Sequence, residues 1–347
     1  MRRKERKKSK IMKILLDGMG GDHAPDAIVE GAILAAKEIK DEIVLIGKQD
    51  ALEESIKKYG YEGAQIGIVN ASEVIENEES PVRAVRRKKN SSIVVGMEML
   101  KNGEGDVFIS AGSTGALLAG SLLLTGRIEG IDRPAIATIY PVIGSEPSIL
   151  IDTGANAECK AKNLLDFGIM GSVYLEKVLN RENPTVGLVN NGTESNKGTA
   201  LTKEAHRLLA DSRLNFIGNV ESRDLQDSVC DVIVTDGFTG NVIIKLTEGM
   251  GLMVLRELKK RFLSNTKAKL GAMLLKDQLQ KIKSEFDYVE YGGAPILGVR
   301  GAVLKMHGSS NSTAVKQTIL KAVPYVEGEV IGTIEEFVKE YGEVVTA

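Results

Sequence analysis

Short β-type runs alternate with helical segments along most of this chain, and the residues just after the runs are rich in glycine. Parallel neighbours in a sheet need a crossover connection, and a helix supplies it, so the alternation restricts the fold to a mostly parallel sheet covered by helices. The predicted strands are 13–17, 43–46, 65–69, 107–110, 135–140, 149–152, 186–190, 214–217, 232–235 and 302–306. Helices are predicted between most of them, a long one over 242–262 and a last one around 334–341. No internal repeat and no low-complexity linker is found. Residues 12–347 therefore read as one large α/β domain or two intimately joined ones, preceded by a basic, disordered extension over 1–11.

The chemistry lies in the turns that leave the strands. The 37 glycines exceed the roughly 7% of an average chain. In this setting glycine lets backbone approach a ligand where a helix begins and its first N–H groups lack partners. Five turns share this form. The first, "DGMGGDHAPD", offers Asp17, Gly20, Gly21 and His23; the third glycine of a dinucleotide fingerprint is replaced by His23, and no Walker sequence occurs. The second, "SAGSTGA", sets Ser113, Thr114 and Gly115 at a helix start, and "DTGANAE" contributes Asn156. "NNGTESNKGT" holds Thr193 and Lys197, whose ammonium meets an anion as a compact point charge. "DGFTGN" holds Asp236, Thr239 as expected N-cap, and Asn241. Ligand sites of open α/β sheets lie beyond the carboxyl ends of strands, so the turns are expected to converge on one crevice. His307, ahead of a Gly-Ser turn, is placed to hydrogen-bond a ligand or protonate a leaving group.

Other features restrict the function classes. A net charge of −2 argues against a global nucleic-acid binder, and no apolar run approaches the ~18 residues of a spanning helix, so a soluble protein is expected. The cationic cluster Arg83, Arg86, Arg87, Lys88 and Lys89 suits phosphate or an acidic protein. Residues 267–283 form a basic amphipathic stretch suited to packing, to a dimer interface or to an anionic membrane surface. Cys159 and Cys230 are far apart, which indicates neither a disulfide framework nor a thiolate metal site. Three histidines without H-E-x-x-H leave zinc hydrolysis without ligands, and no G-x-S-x-G elbow is present. A site rich in backbone donors, hydroxyls, Lys197 and Asn241 suits binding phosphate and polarising a carbonyl. Inorganic phosphate, already anionic, can itself be the nucleophile once positioned.

Taken together, "DGMGGDHAP", "PVRAVRRKKNSS", "SAGSTGA", "NNGTESNKG", "VTDGFTGN", "YGGAPILG" and "HGSS" resemble, in order, the bacterial phosphate acyltransferases. The resemblance runs from Met12 to the C-terminal region. It implies a single three-layer α/β/α domain over 12–347 with a fold similar to the isocitrate and isopropylmalate dehydrogenases, no cofactor and no metal, and formation of acyl phosphate from an acyl-[acyl carrier protein] and inorganic phosphate early in phospholipid synthesis. It further implies a homodimer in the cytoplasm, peripheral to the inner face of the cell membrane through a helix pair over 254–283, with a membrane-bound glycerol-3-phosphate acyltransferase as a further partner. The family's functional lysine falls on Lys197 and its functional asparagine on Asn241. Ser113 stands where Asn is common and Gly18 where Ala is common. Three alternatives stay open on the residues alone: a phosphotransacetylase using acyl-CoA, a metal-dependent hydroxyacid dehydrogenase, and a membrane-associated scaffold that only binds acyl carrier protein.

Overall fold

A computed structural model of the chain describes residues 11–142, 144–279 and 292–346. The basic leader, Lys281 and Lys283 of the amphipathic stretch, and Tyr291 of "YGGAPILG" lie outside these residues. The chain divides into two compact units, one running to Gly126 and taking up Gly301–Glu327, the other made of Arg127–Arg300 and Gly328–Ala347.

The first unit is built on β1 (Lys13–Asp17), β2 (Glu42–Gly47), β3 (Ile66–Asn70), β4 (Val107–Ser110) and β11 (Val303–Lys305), in the order β3-β2-β1-β4-β11, every pair parallel. Strands covered on both faces read as continuous apolar runs. Accordingly Ile14, Leu15, Leu16, Leu45, Phe108 and Ile109 have no measurable exposure. The covering helices are α1 (Asp26–Ala36), α2 (Gln49–Lys58), α3 (Pro81–Arg87), α4 (Ser92–Lys101), α5 (Thr114–Gly120), continued by a π turn at Ser121–Thr125, and α10 (Ser312–Glu327). Helix α1 lies on α10 at Gly31, where a Cβ would come 2.5 Å from Val315 Cβ.

In the second unit, β5 (Ala135–Tyr140), β6 (Ser148–Ile151), β7 (Thr185–Asn190), β8 (Asn215–Glu221), β9 (Val232–Val234) and β10 (Ala294–Leu297) follow the order β10-β5-β6-β9-β7-β8. Strand β5 is antiparallel to both neighbours, and the remaining pairs are parallel. Its helices are α6 (Ala161–Val178), α7 (Ala200–Ala210), α8 (Gly237–Phe262), α9 (Thr266–Leu274) and α11 (Val330–Thr346). Buried almost all round, α6 approaches the sheet at Gly171, where a Cβ would lie 2.6 Å from Val232 Cγ1.

The halves also share a plan, which corrects the reading that no repeat is present. The succession β1-α1-β2 then β4-α5 in the first matches β7-α7-β8 then β9-α8 in the second, with α1 and α7 both of 11 residues. The local strand order matches as well, β2-β1-β4-β11 against β8-β7-β9-β6. Asp106, just before β4, accepts the amide of Lys13 at 2.7 Å, and Asp231, just before β9, accepts the amide of Thr185 at 2.7 Å. "DVFISAGSTGA" (106–116) thus corresponds to "DVIVTDGFTGN" (231–241).

Helix α8 departs from the sequence reading in another way. Counting uninterrupted runs finds nothing long enough to cross a membrane, yet this helix of 26 residues is long and apolar enough by length and composition. Lys245 and Glu248, which break the run, pair with each other at 3.1 Å. Phe238, Val242, Leu246, Met250 and Met253, roughly four residues apart, are all exposed in the single chain.

Candidate active site

At the carboxyl edge of the first unit's sheet three turns interlock. Asp17, 1% exposed at the end of β1, accepts the Met19 amide at 3.0 Å and the Ser110 hydroxyl at 2.6 Å, while Ser110 Oγ accepts the Gly112 amide at 2.9 Å. Burial pushes the Asp17 carboxyl up, against the hydrogen bonds from Ser110, Ser92 and the amides of Met19 and Gly20. A Cβ on Gly20 would sit 2.6 Å from both Asp17 Oδ2 and the Gly112 nitrogen. Gly21 has φ +97°, a left-handed conformation, and the adjacent Asp22 amide donates to Gly308 O at 2.8 Å. Asp17, Gly20 and Gly21 are thus brought together as the joint between turns.

The other residues expected in this unit are spread around the joint. Ser113 caps α5, accepting the Ala116 amide at 3.4 Å, and Thr114 opens the helix. Gly115 faces Pro81, whose Cγ would stand 2.5 Å from an added Cβ. His307 Nδ1 is engaged in its own turn, 2.8 Å from Ser309 Oγ and 3.3 Å from the Ser309 amide. His23 is exposed and borders a cleft of ≈ 700 Å³ whose wall carries Asp26, Glu30 and Glu54, with Lys58 already paired to Asp26. Such a wall repels an anion.

The second unit presents three turns after the adjacent parallel strands β6, β9 and β7. Neighbouring strands lie about 5 Å apart, so these turns share one edge at that spacing. Asp152, fully buried after β6, is the organiser that the sequence reading missed. Its Oδ1 accepts the amides of Ile136, Gly154 and Ala155 at 3.0–3.1 Å, and its Oδ2 accepts the Asn156 amide at 2.8 Å and the Asn156 carboxamide at 2.9 Å. Asn156 Nδ2 donates in addition to Pro134 O at 2.7 Å, and Asn156 O accepts the Gly237 amide at 2.8 Å. Asn156 is therefore a link between the β6 turn and the start of α8. The helix packs there with no room to spare: a Cβ on Gly240 would fall 1.9 Å from Asp152 O.

The N-cap of α8 is Asp236, not Thr239 as expected. Asp236 Oδ1 accepts the Thr239 amide at 2.9 Å and Oδ2 its hydroxyl at 2.7 Å, so the acidic residue takes the capping role at the positive end of the dipole. One turn further on, Asn241 is exposed, and its carboxamide makes no hydrogen bond among the described residues. That carboxamide lies over the β6 turn, 3.6 Å from where a Cβ of Gly154 would stand.

The turn after β7 is pinned by Asn190 Nδ2, which donates to Lys197 O at 3.2 Å, and by Asn219 Nδ2, which donates to Glu194 O at 2.8 Å. Gly198, at φ +90°, closes it. Thr193 and Lys197 are exposed on this turn, and among the described residues Lys197 Nζ has only Glu194, at 3.8 Å. A loose, solvated pair of this kind contributes little and yields readily to a stronger anion. Cys159 lies near this edge, and burial pushes its thiol up to about 11, which disfavours the thiolate near neutrality.

A family model described as "Fatty acid synthesis protein" matches residues 12–333. The phosphate acyltransferase of Alkaliphilus oremlandii (strain OhILAs) is 51% identical over 332 residues, covering 96% of this chain and 99% of that protein. Among solved structures, a phosphotransacetylase from Streptococcus pyogenes matches with a TM-score of 0.65 at 16% identity, over 91% of this chain and 94% of its own. A putative 4-hydroxythreonine-4-phosphate dehydrogenase from Salmonella typhimurium matches with a TM-score of 0.51 at 12% identity, over 91% and 99%. These two likenesses bear on the fold and agree with the mostly parallel, dehydrogenase-like α/β class expected. With its model match over nearly the whole sequence and a curated relative at half identity, the chain belongs to the fatty acid synthesis protein family, as one of its phosphate acyltransferases.

Proposed function

We propose that this chain transfers an acyl group from the thioester of an acyl carrier protein to inorganic phosphate, giving an acyl phosphate at an early step of phospholipid synthesis. The observation that carries the reading is the unengaged Asn241 carboxamide above the β6 turn, with Lys197 on the turn after a neighbouring strand. Lys197 and the turn amides hold phosphate. A phosphate oxygen adds to the thioester carbonyl carbon, Asn241 Nδ2 donates to the oxygen as it becomes anionic, and collapse expels the thiolate with the carbon–sulfur electron pair. The nucleophile is an anion at neutral pH and requires positioning rather than deprotonation. Asp17, Gly20, Gly21, His23, Ser113, Thr114, Gly115, Asn156, Thr193, Asp236 and His307 belong to this proposal as binding or supporting residues, with Asp17 and Asn156 acting through the turns they hold.

The test is a side-by-side assay of one acyl group presented on carrier protein and on coenzyme A, with acyl phosphate trapped by hydroxylamine. Transfer from the carrier protein at the higher kcat/KM is expected; a clear preference for acyl-CoA would make the chain a phosphotransacetylase instead. In the same assay Lys197→Ala is expected to raise the KM for phosphate by about tenfold, in line with loss of one charge-assisted contact. An unchanged phosphate dependence would remove Lys197 from the site.

The exposed apolar rows suggest how the enzyme is placed in the cell. We propose a cytoplasmic homodimer attached peripherally to the inner face of the membrane, beside a membrane-bound glycerol-3-phosphate acyltransferase, with 254–283 as the contacting element. Leu270, Met273 and Leu274 on α9 are more than half exposed beside Lys267 and Lys269, a composition suited to an anionic interface. Leu270→Glu and Met273→Glu are each expected to abolish flotation with anionic liposomes while turnover of the carrier-protein thioester persists. Flotation retained by both would count against this element.

A further inference from the structure

Helix α3 carries charge that the rest of the chain does not use. Arg83, Arg86, Arg87 and Lys89 are exposed, and none of their side chains has a hydrogen-bond or ion-pair partner among the described residues. Several other exposed arginines are paired, Arg207 with Glu204 and Asp211, Arg223 with Glu221, Arg261 with Glu257, whereas the α3 cations stand together without a partner among the described residues. Four carboxylates precede the helix, but they do not neutralise it. Glu79 is tied to Lys88, which turns inward and also donates to Val74 O at 2.6 Å, and Glu73 accepts the Asn90 amide at 3.1 Å. Glu76 and Glu78 stand before the helix N-terminus, where the dipole favours them. The same dipole accounts for basic residues in the last turn, Arg86 and Arg87, but not for Arg83 in the middle.

Two further observations give this face a direction. Val82, 48% exposed, supplies an apolar contact among the cations. Beneath it, α3 packs on α5, with Pro81 against Gly115 of the Ser113–Gly115 turn. A partner seated on α3 therefore lies one layer of residues from a turn of the proposed site.

We propose that Val82, Arg83, Arg86, Arg87 and Lys89 form the docking surface for the acidic protein that carries the acyl thioester. The proposal rests on the reading of the donor as a carrier protein. On a chain of net charge −2, a local cationic face orients an acidic partner by attraction here and repulsion elsewhere, an effect on encounter and on KM rather than on the chemical step. A single exposed valine on a helix of seven residues offers too little apolar surface for membrane insertion, which favours the protein partner.

The full-length variant Arg83→Ala/Arg86→Ala/Arg87→Ala tests this in two measurements. In steady-state assays at low salt, the KM for the carrier-protein thioester is expected to rise about tenfold, with kcat unchanged, while the same acyl group on pantetheine is used as by wild type. The difference should shrink as salt rises. By fluorescence anisotropy, the variant should bind holo carrier protein about tenfold more weakly than wild type. Equal carrier-protein affinity and KM for the two chains would overturn the proposal, as would an equal rise in KM for the pantetheine thioester. Loss of binding to anionic phosphatidylglycerol vesicles with carrier-protein affinity retained would assign the patch to lipid and overturn it too. Should wild type transfer acyl groups from neither donor, the proposed activity fails, and the anisotropy comparison still decides the surface.

Discussion

Asn241→Ala is expected to lower kcat about 10²- to 10³-fold while leaving the urea midpoint of unfolding within error of wild type. The first figure is the usual cost of removing one donor to an oxyanion that develops in the transition state. The second reflects the surroundings of the side chain, which is exposed, forms no internal hydrogen bond among the described residues, and lies one turn past the helix start rather than capping it. The two parts separate catalysis from folding. Turnover near wild type would remove Asn241 from the chemistry, and a large loss of stability would show that the carboxamide supports the fold instead. Because the interaction is made in the transition state, the KM for phosphate should change little.

Asp152 should behave in the opposite manner. Asp152→Ala strips an acceptor from five N–H groups at once, in a site with no exposure. Leaving buried donors without partners costs about 1–3 kcal/mol each, less whatever relaxation recovers, so a loss of about 3–5 kcal/mol is expected in urea denaturation. Activity should fall with it, since the β6 turn and the start of α8 are joined through Asn156. Asp152→Asn keeps one accepting oxygen but points an NH₂ at other donors, and should fall between the two. A wild-type urea midpoint for Asp152→Ala would show that the network is not what holds the turn.

The contrast between these residues marks how far the sequence could be read. Strand β1 was legible because "KILLD" is an unbroken buried run ended by Asp-Gly. Strand β10, "APIL", was not: four residues beside a Gly-Gly pair carry too little pattern, and its antiparallel pairing with β5 breaks the strand-helix rhythm that located the others. The start of α8 was misplaced because Asp236 and Thr239 are both competent caps, and only the geometry shows which accepts from which. Lys197 and Asn241 stood out as polar groups in Gly-rich stretches after strands, and the motif resemblance singled them out further; Lys197 lies exposed on the turn after β7 and Asn241 exposed in the first turns of α8, after the neighbouring β9. Asp152 escaped notice since an aspartate gathering five donors has the same local sequence as one in any Asp-Thr-Gly turn. Its partners include Ile136, 16 residues away on a strand that runs the other way.

The two matched turns are not interchangeable. Gly112, Thr114 and Gly115 correspond to Gly237, Thr239 and Gly240, yet at the next position Ala116 answers Asn241. Ala116 has no exposure, and its amide is capped by Ser113. A carboxamide placed there would be enclosed without a partner, a cost that neighbouring hydrocarbon cannot relieve. The single substitution Ala116→Asn would therefore not reproduce the exposed carboxamide of Asn241 in the first unit, because packing encloses the corresponding position.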